Sequence, residues 1–304
     1  MLRPRLRGAS GTGANHTPSF TLTEVLVASF VCLTLAGALF RAVAGVSSAA
    51  ARFFGDSAAW ANAQAVLSAI ELRALHAGAG LKDMGGLPAP FPSAVTVLKG
   101  DGTALAERRD GVYGGEGIAL VYTIPSALKA KPSTAPSTSV TLLGQSANMA
   151  LISDRIALGN RSNIESWVAF PLSGQPVSVN GYSGGKLTLS SAALIAPYDE
   201  MCYIEAIRYA AKDGFFRSSR FRTDWGDTID RAEGILALWF EWRPDLRVLD
   251  AWVLADAGAN APPQGQGQQK SLRPTEWPEA APWREEFGGH NLLVAMGSWR
   301  VDNM

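Results

Sequence analysis

The chain has 304 residues, 47% of them hydrophobic and 18% charged, enough for one large or two small globular units with a core, which excludes disorder throughout. Lys plus Arg and Asp plus Glu balance at 27 each, so no global field recruits nucleic acid or an anionic membrane surface. The only cysteines are Cys32 and Cys202; Cys32 lies inside an apolar run, so no disulfide framework is expected.

The first 19 residues carry Arg3, Arg5 and Arg7 and no acid; without them the chain would hold 24 basic and 27 acidic residues, a net charge of −3. From Phe20 to Phe40 the only charge is Glu24, and a helix of this length spans roughly 30 Å, the hydrocarbon thickness of a bilayer. One membrane pass is expected. The arginines before it favour a cytoplasmic N-terminus, with the bulk of the chain periplasmic or extracellular. The run is longer than the apolar part of a secretory signal. A plain signal anchor fits its length but leaves Glu24 unexplained, because an unpaired carboxylate in lipid costs about 3 kcal/mol and needs a partner. Cutting the chain between Ser19 and Phe20 would supply one: a new α-amino group on Phe20, with Glu24 the fifth residue of the product. In a bundle of such helices the amine of one subunit could pair with the carboxylate of its neighbour.

These residues, "SFTLTEVLVASF", resemble the class III signal of type IV pilins and type II secretion pseudopilins. Phe20, Thr21, Leu22 and Glu24 fall on the family pattern, as does the apolar helix from Val25 to Phe40. Ser19 stands where the family has Gly, and Thr23 replaces an apolar residue. The resemblance implies an α+β fold, in which a long helix, transmembrane in its first half, packs on a β-rich head. It also implies cleavage between Ser19 and Phe20 by a prepilin peptidase, N-methylation of Phe20, and assembly through Thr21, Leu22 and Glu24.

Helical text continues to about Ala77, with apolar residues at Val43, Val46, Ala50, Phe53 and Phe54, then Trp60, Val66, Leu67, Ile70 and Leu75, set largely three or four residues apart or at sums of the two. Gly45 and Gly55 could loosen it, and "HAGAG" from His76 supplies a stop. The divisions expected are a leader 1–19, an assembly helix 20–40, its continuation 41–78 and a head 79–304. Strand patterns follow in "SAVTVLKG", "GIALVYTI", "SWVAFPL", "KLTLSSAALIAP" and "MCYIEAIRYAAKDGFFRSSRFR", the last with a hairpin turn at Lys212-Asp213-Gly214. A second hairpin is expected around Pro244 and Asp245, and "HNLLVAMGSWRVDNM" is a closing strand. Segments 129–139, 173–185 and 257–282 read as loops, the last long enough to be flexible. The order of strands from Tyr203 onward resembles, loosely, that of J-class minor pseudopilins and W-type minor pilins.

No catalytic constellation stands out. His76, at the end of the long helix, and His290, after Gly-Gly, read as solvated, and no Cys or His cluster has zinc spacing. In "DWGDTIDRAEG", Asp224, Asp227 and Asp230 recur at every third position, which suits either a calcium site or a solvated short helix or turn. The spacing lacks the alternation of an EF-hand loop. Arg208, Arg217, Arg220 and Arg222 interleave with Tyr209, Phe215, Phe216 and Phe221. A DNA-uptake face could use such a pattern, but inward aromatics and outward arginines account for it without nucleic acid. Trp277 and Trp283 read as an exposed patch for a partner subunit. The expectation is therefore a minor pilin or pseudopilin of the inner membrane that performs no chemistry. It would associate with other minor subunits, the major subunit and the prepilin peptidase, and would initiate or prime a fibre just beneath its tip. The alternative is an adhesin or DNA-capture pilin acting through its head loops.

Overall fold

The computed structural model describes residues 21–81, 87, 91–100, 104–174, 176–222, 225–259, 273–287 and 290–303. The fold is α+β. A long helix, α1 (Leu22–Ala74), precedes a β-rich head, and the chain divides into two compact units, Met1–Ala51 and Arg52–Met304.

In the first unit α1 is apolar on every side. Leu22, Leu26, Phe30, Leu33, Leu39, Phe40 and Val43 are all exposed, and no part of its most apolar window is buried in the protein. A helix with no polar face needs lipid or other apolar surface around it, and this one is long and apolar enough to cross a membrane.

In the second unit the same helix has an inside. Ala59, Ala63, Val66, Leu67, Ile70 and Ala74 are buried, at the three- and four-residue spacing of one helical stripe. Neither Gly45 nor Gly55 breaks α1. At Gly55 an added Cβ would stand 2.2 Å from the carbonyl oxygen of Ala257, so this glycine lets helix and head backbone approach closely. The helix ends at Ala74, followed by turns through Gly80, with Gly78 and Gly80 both at φ 75°.

The strands are, in chain order, β1 (Val95–Lys99), β2 (Ala104–Leu105), β3 (Arg108–Arg109), β4 (Val112–Gly115), β5 (Gly117–Ala130), β6 (Ser137–Leu143), β7 (Trp167–Ala169), β8 (Pro176–Ser183), β9 (Lys186–Ala193), β10 (Glu200–Lys212), β11 (Phe215–Phe221), β12 (Trp225–Glu233), β13 (Ile235–Arg243), β14 (Val248–Ala259) and β15 (His290–Arg300). Two short helices, α2 (Ser146–Ala150) and α3 (Ile152–Arg155), follow β6. One sheet has ten strands in the order β12-β11-β10-β7-β8-β9-β6-β5-β1-β2, with β10 also paired to β5; the other has five, β15-β14-β13-β4-β3.

The extra β10–β5 pairing closes a ring. From β5 the ladder passes to β10, β7, β8, β9 and β6 and returns to β5, antiparallel at every step. Its interior is filled by side chains such as Leu128, Val140, Phe170, Val179, Leu187 and Met201, as in any small barrel. A register shift at Met201/Cys202 bulges β5 at Ser126 and Ala127, where Ser126 Oγ donates to Met201 O (2.5 Å) and Ala127 N–H donates to Glu200 Oε1 (2.7 Å). Such a bulge bends a strand, here where β5 passes from open sheet to ring. The ring's end loops are tied by Asp199, which is 0% exposed and accepts from Leu172 N–H (3.0 Å), Ser173 N–H (2.9 Å) and Ser173 Oγ (2.5 Å).

The main core joins the inner stripe of α1 to both sheets through Ile118, Leu120, Tyr209 and Phe216 on one and Leu238, Phe240, Ala251 and Val253 on the other. Strand alternation sends Trp239 and Leu254 to the opposite face of the five-stranded sheet, under Trp277, Ala281 and Phe287.

Both expected hairpins are present. Lys212 pairs with Phe215 across Asp213 (φ 55°) and Gly214 (φ 78°), the left-handed pair of a two-residue hairpin turn. Arg243 pairs with Val248 around Pro244 and Asp245. Other expectations are corrected. Segment 173–185 is not a loop: β8 occupies most of it and pairs with β9, and Pro176 is tolerated as its first strand residue. Segment 129–139 shrinks to the connection between β5 and β6. Within 257–282, β14 continues to Ala259, and Arg273 donates to the carbonyls of Pro278 and Ala281; residues 260–272 lie outside the described set.

Candidate functional site

The first turn of α1 combines a lone acid with a helix that needs an apolar surrounding. Thr21 is the residue before the helix, and Val25 N–H donates to its carbonyl (3.2 Å). Thr21 N–H donates to Glu24 Oε2 (2.9 Å), Thr21 Oγ1 donates to the same oxygen (3.0 Å), and Glu24 N–H lies 3.4 Å from Thr21 Oγ1. This is a capping box: residue and acid exchange side-chain bonds for backbone N–H groups that a helix start leaves unpaired. The carboxylate also meets the positive end of the helix dipole.

Glu24 thus has a partner within its own chain, a role the sequence reading missed. Its signal was present: Thr followed three residues later by Glu, ahead of an apolar run, is a helix-start signature. Leu22, the first helical residue, is 78% exposed, so its side chain remains available to lipid or to a second helix. Ser19 and Phe20 lie outside the described residues, as does the rest of the leader.

The acidic stretch expected as a calcium site or a short helix is strand β12. Extended backbone sets residues three apart at roughly 10 Å along the strand, whereas a turn would gather them. Asp230 is engaged by Arg217, whose Nε donates to Oδ1 (2.7 Å). Asp224 lies outside the described residues, and the description of Asp227 is limited to its backbone. Among the described residues no group of three or more His, Cys, Asp and Glu side chains converges.

The arginine and aromatic face is resolved into inside and outside. Tyr209, Phe216 and Phe221 are buried, and the rings of Tyr209 and Phe216 stack at 5.2 Å. Arg217 also reaches Asp213 (3.1 Å), Arg220 pairs with Glu205, and Arg222 pairs with Glu165 (3.1 Å). Arg208 donates to Ser219 Oγ (3.4 Å). Any phosphate on this face would compete with carboxylates of the same head.

Two smaller expectations change, while His76 is exposed as expected. Trp277 is 3% exposed and packed beside Trp239, and Trp283 is half-buried with its ring edge-on to Phe287, so neither forms an open patch. His290 opens β15 and pairs through Nδ1 with Asp256 Oδ2 (2.9 Å). His76 Nδ1 lies 2.7 Å from the carbonyl of Leu72, one turn back. Cys202 is buried, and burial pushes its thiol up to about 11. Compared with protein-family models, with curated proteins and with solved structures, the chain matches none.

Proposed function

We propose that this chain is a minor pilin or pseudopilin, a subunit whose N-terminal helix passes from the membrane into a fibre. The observation that carries the reading is a helix apolar on all sides and unburied by its own protein, with one carboxylate held in its first turn. Lipid covers such a surface before assembly, and other subunits' helices would cover it afterwards. The basic leader and the Phe20-Thr21-Leu22-x-Glu24 string add the processing step: cleavage after Ser19 by a prepilin peptidase, methylation of the new Phe20 amine, and pairing of that amine with a neighbour's Glu24. The head would remain on the far side of the inner membrane, and the subunit would join other minor subunits and the major one to prime the fibre.

A second reading is favoured by the capping box. If Thr21 satisfies Glu24 fully, the helix is a plain anchor and its acid a local stabiliser. Intact-mass and N-terminal analysis of the chain, expressed with and without a prepilin peptidase, separates the two. A peptidase-dependent product beginning at Phe20 supports the subunit reading; a chain that keeps its leader in both hosts leaves the anchor.

A further inference from the structure

The connection from β5 to β6 and the start of β6 hold the densest run of hydroxyls in the chain: Ser133, Thr134, Ser137, Thr138 and Ser139, set among Pro132, Ala135 and Pro136, with no charge. Hydroxyl-rich stretches broken by proline are a recognised acceptor of O-linked sugar, and the structure separates the hydroxyls that are spent from those that are not. Two of the five hold the backbone. Ser133 Oγ accepts from Ile195 N–H (2.9 Å), and Ser133 N–H donates to the Ile195 carbonyl (3.1 Å). Ser137 Oγ accepts from Ser139 N–H (3.0 Å) and donates to the Ser139 carbonyl (3.0 Å). Lys131 N–H is fixed in turn on the Thr141 carbonyl (2.8 Å).

Between these anchors Thr134 and Ala135 form the bend at the tip. Thr134 is exposed, and among the described residues its hydroxyl has no hydrogen-bond partner. Pro132 and Pro136 stand two residues to either side of it, and their fixed φ and missing N–H keep the tip out of both helix and ladder. Thr138 and Ser139 are exposed too, but they belong to β6, whose backbone is laddered to β9; an enzyme could not take up that stretch without opening the sheet. We propose that Thr134 is a site of O-glycosylation. Its Oγ1 bonds to the anomeric carbon of a sugar carried through diphosphate on a nucleotide or a lipid. The bond from that carbon to the diphosphate breaks, the diphosphate leaves with the electron pair, and the hydroxyl proton passes to a base of the transferase. The attached sugar needs no room made for it, because Thr134, Ala135 and Pro136 are all exposed.

This inference rests neither on leader cleavage nor on fibre assembly. The full chain, purified from its own organism, is digested with trypsin; Lys131 precedes a proline and resists cleavage, so the whole run falls in one peptide, residues 130–155. Mass spectrometry should find this peptide heavier by whole sugar residues, and electron-transfer fragmentation should place them on Thr134. Thr134→Val should lose the increment completely, while Thr134→Ser, which keeps an acceptor hydroxyl, and Thr138→Val should retain it. Bare chain from a host without transferases, incubated with whole-cell extract freed of small molecules, tells the carriers apart: a lipid carrier needs no added nucleotide sugar, and a nucleotide carrier does. A peptide found bare in its own organism, a phosphate in place of the sugar, or a sugar that survives Thr134→Val would each overturn the proposal.

Discussion

Alanine at Gly55 sets two effects of opposite sign against each other. In an unconstrained helix interior the exchange gains about 1 kcal/mol. Here the new Cβ would stand 2.2 Å from the Ala257 carbonyl oxygen and 3.3 Å from its carbon. Restoring a normal contact takes a separation of about 1 Å between α1 and the end of β14, and a backbone oxygen cannot swing aside as a side chain can. Overpacking of this kind costs about 1–3 kcal/mol, so a net loss of up to about 2 kcal/mol and a fall of up to roughly 8 °C in Tm are expected. The control is Gly45→Ala in the same helix, where no atom lies within 4 Å of the added Cβ and no loss is expected. Thermal unfolding of the full chain in detergent, followed by near-UV circular dichroism, reads both. If Gly55→Ala raises the midpoint, or behaves like Gly45→Ala, the close seam between helix and head is wrong.

Asp199→Ala removes the buried acceptor of the Leu172 and Ser173 N–H groups and the Ser173 hydroxyl; a loss on the order of 3 kcal/mol is expected in denaturant titration, with faster amide exchange at residues 171–174 than elsewhere in the ring. Cys202 should resist iodoacetamide at pH 8 until the chain is unfolded, because burial, and then the nearby Glu200 and Asp199 charges, raise its thiol to about 11. Since the folded value lies above the ordinary one, this group's contribution to stability is full below about pH 9 and lost as pH rises towards 11; Cys202→Ala should therefore lose less stability than the parent between pH 8 and pH 10.5. Glu24→Gln keeps an acceptor for Thr21 N–H but no charge, so an anchor would tolerate it; a subunit that pairs Glu24 with an amine should drop out of fibres, as scored by immunoblot of sheared filaments.

What could be read in the sequence was mostly local. The Asp213-Gly214 turn and the Val66, Leu67 and Ile70 part of the buried stripe are set by backbone preference and helical period; Val43, Val46, Phe53 and Trp60, read into the same face, are exposed, and the stripe runs through Ala59, Ala63 and Ala74 instead. The strands misread as loops or turns are made by the strands beside them rather than by a pattern of their own. β8 reads as loop because Gly, Ser and Pro surround its Val177-x-Val179 alternation, and only β7 and β9 on either side make it a strand. β12 reads as a turn because acids recur at every third position; its hydrogen bonds come from β11. The burial of Trp277 beneath a Pro-rich segment has no sequence pattern, since the surface it covers comes from β13 and β14. At the candidate site both the acid and its cap were written in the sequence, since Thr21 stands three residues before Glu24, but a lone charge in an apolar run points first to a charged partner.

The main core and the ring of strands close at different times as the polypeptide emerges. Every strand of the ring lies between Gly117 and Lys212, so a nascent chain can complete it once β10 has appeared. The inner stripe of α1 is made earlier than any strand, yet its cluster also includes Val301. Through most of synthesis, therefore, a second apolar surface follows the fully apolar first stretch of the same helix and waits for cover. Biogenesis must shield it until the five-stranded sheet arrives, and a chain ending before β13 would close its ring but leave that helix covered from one side only.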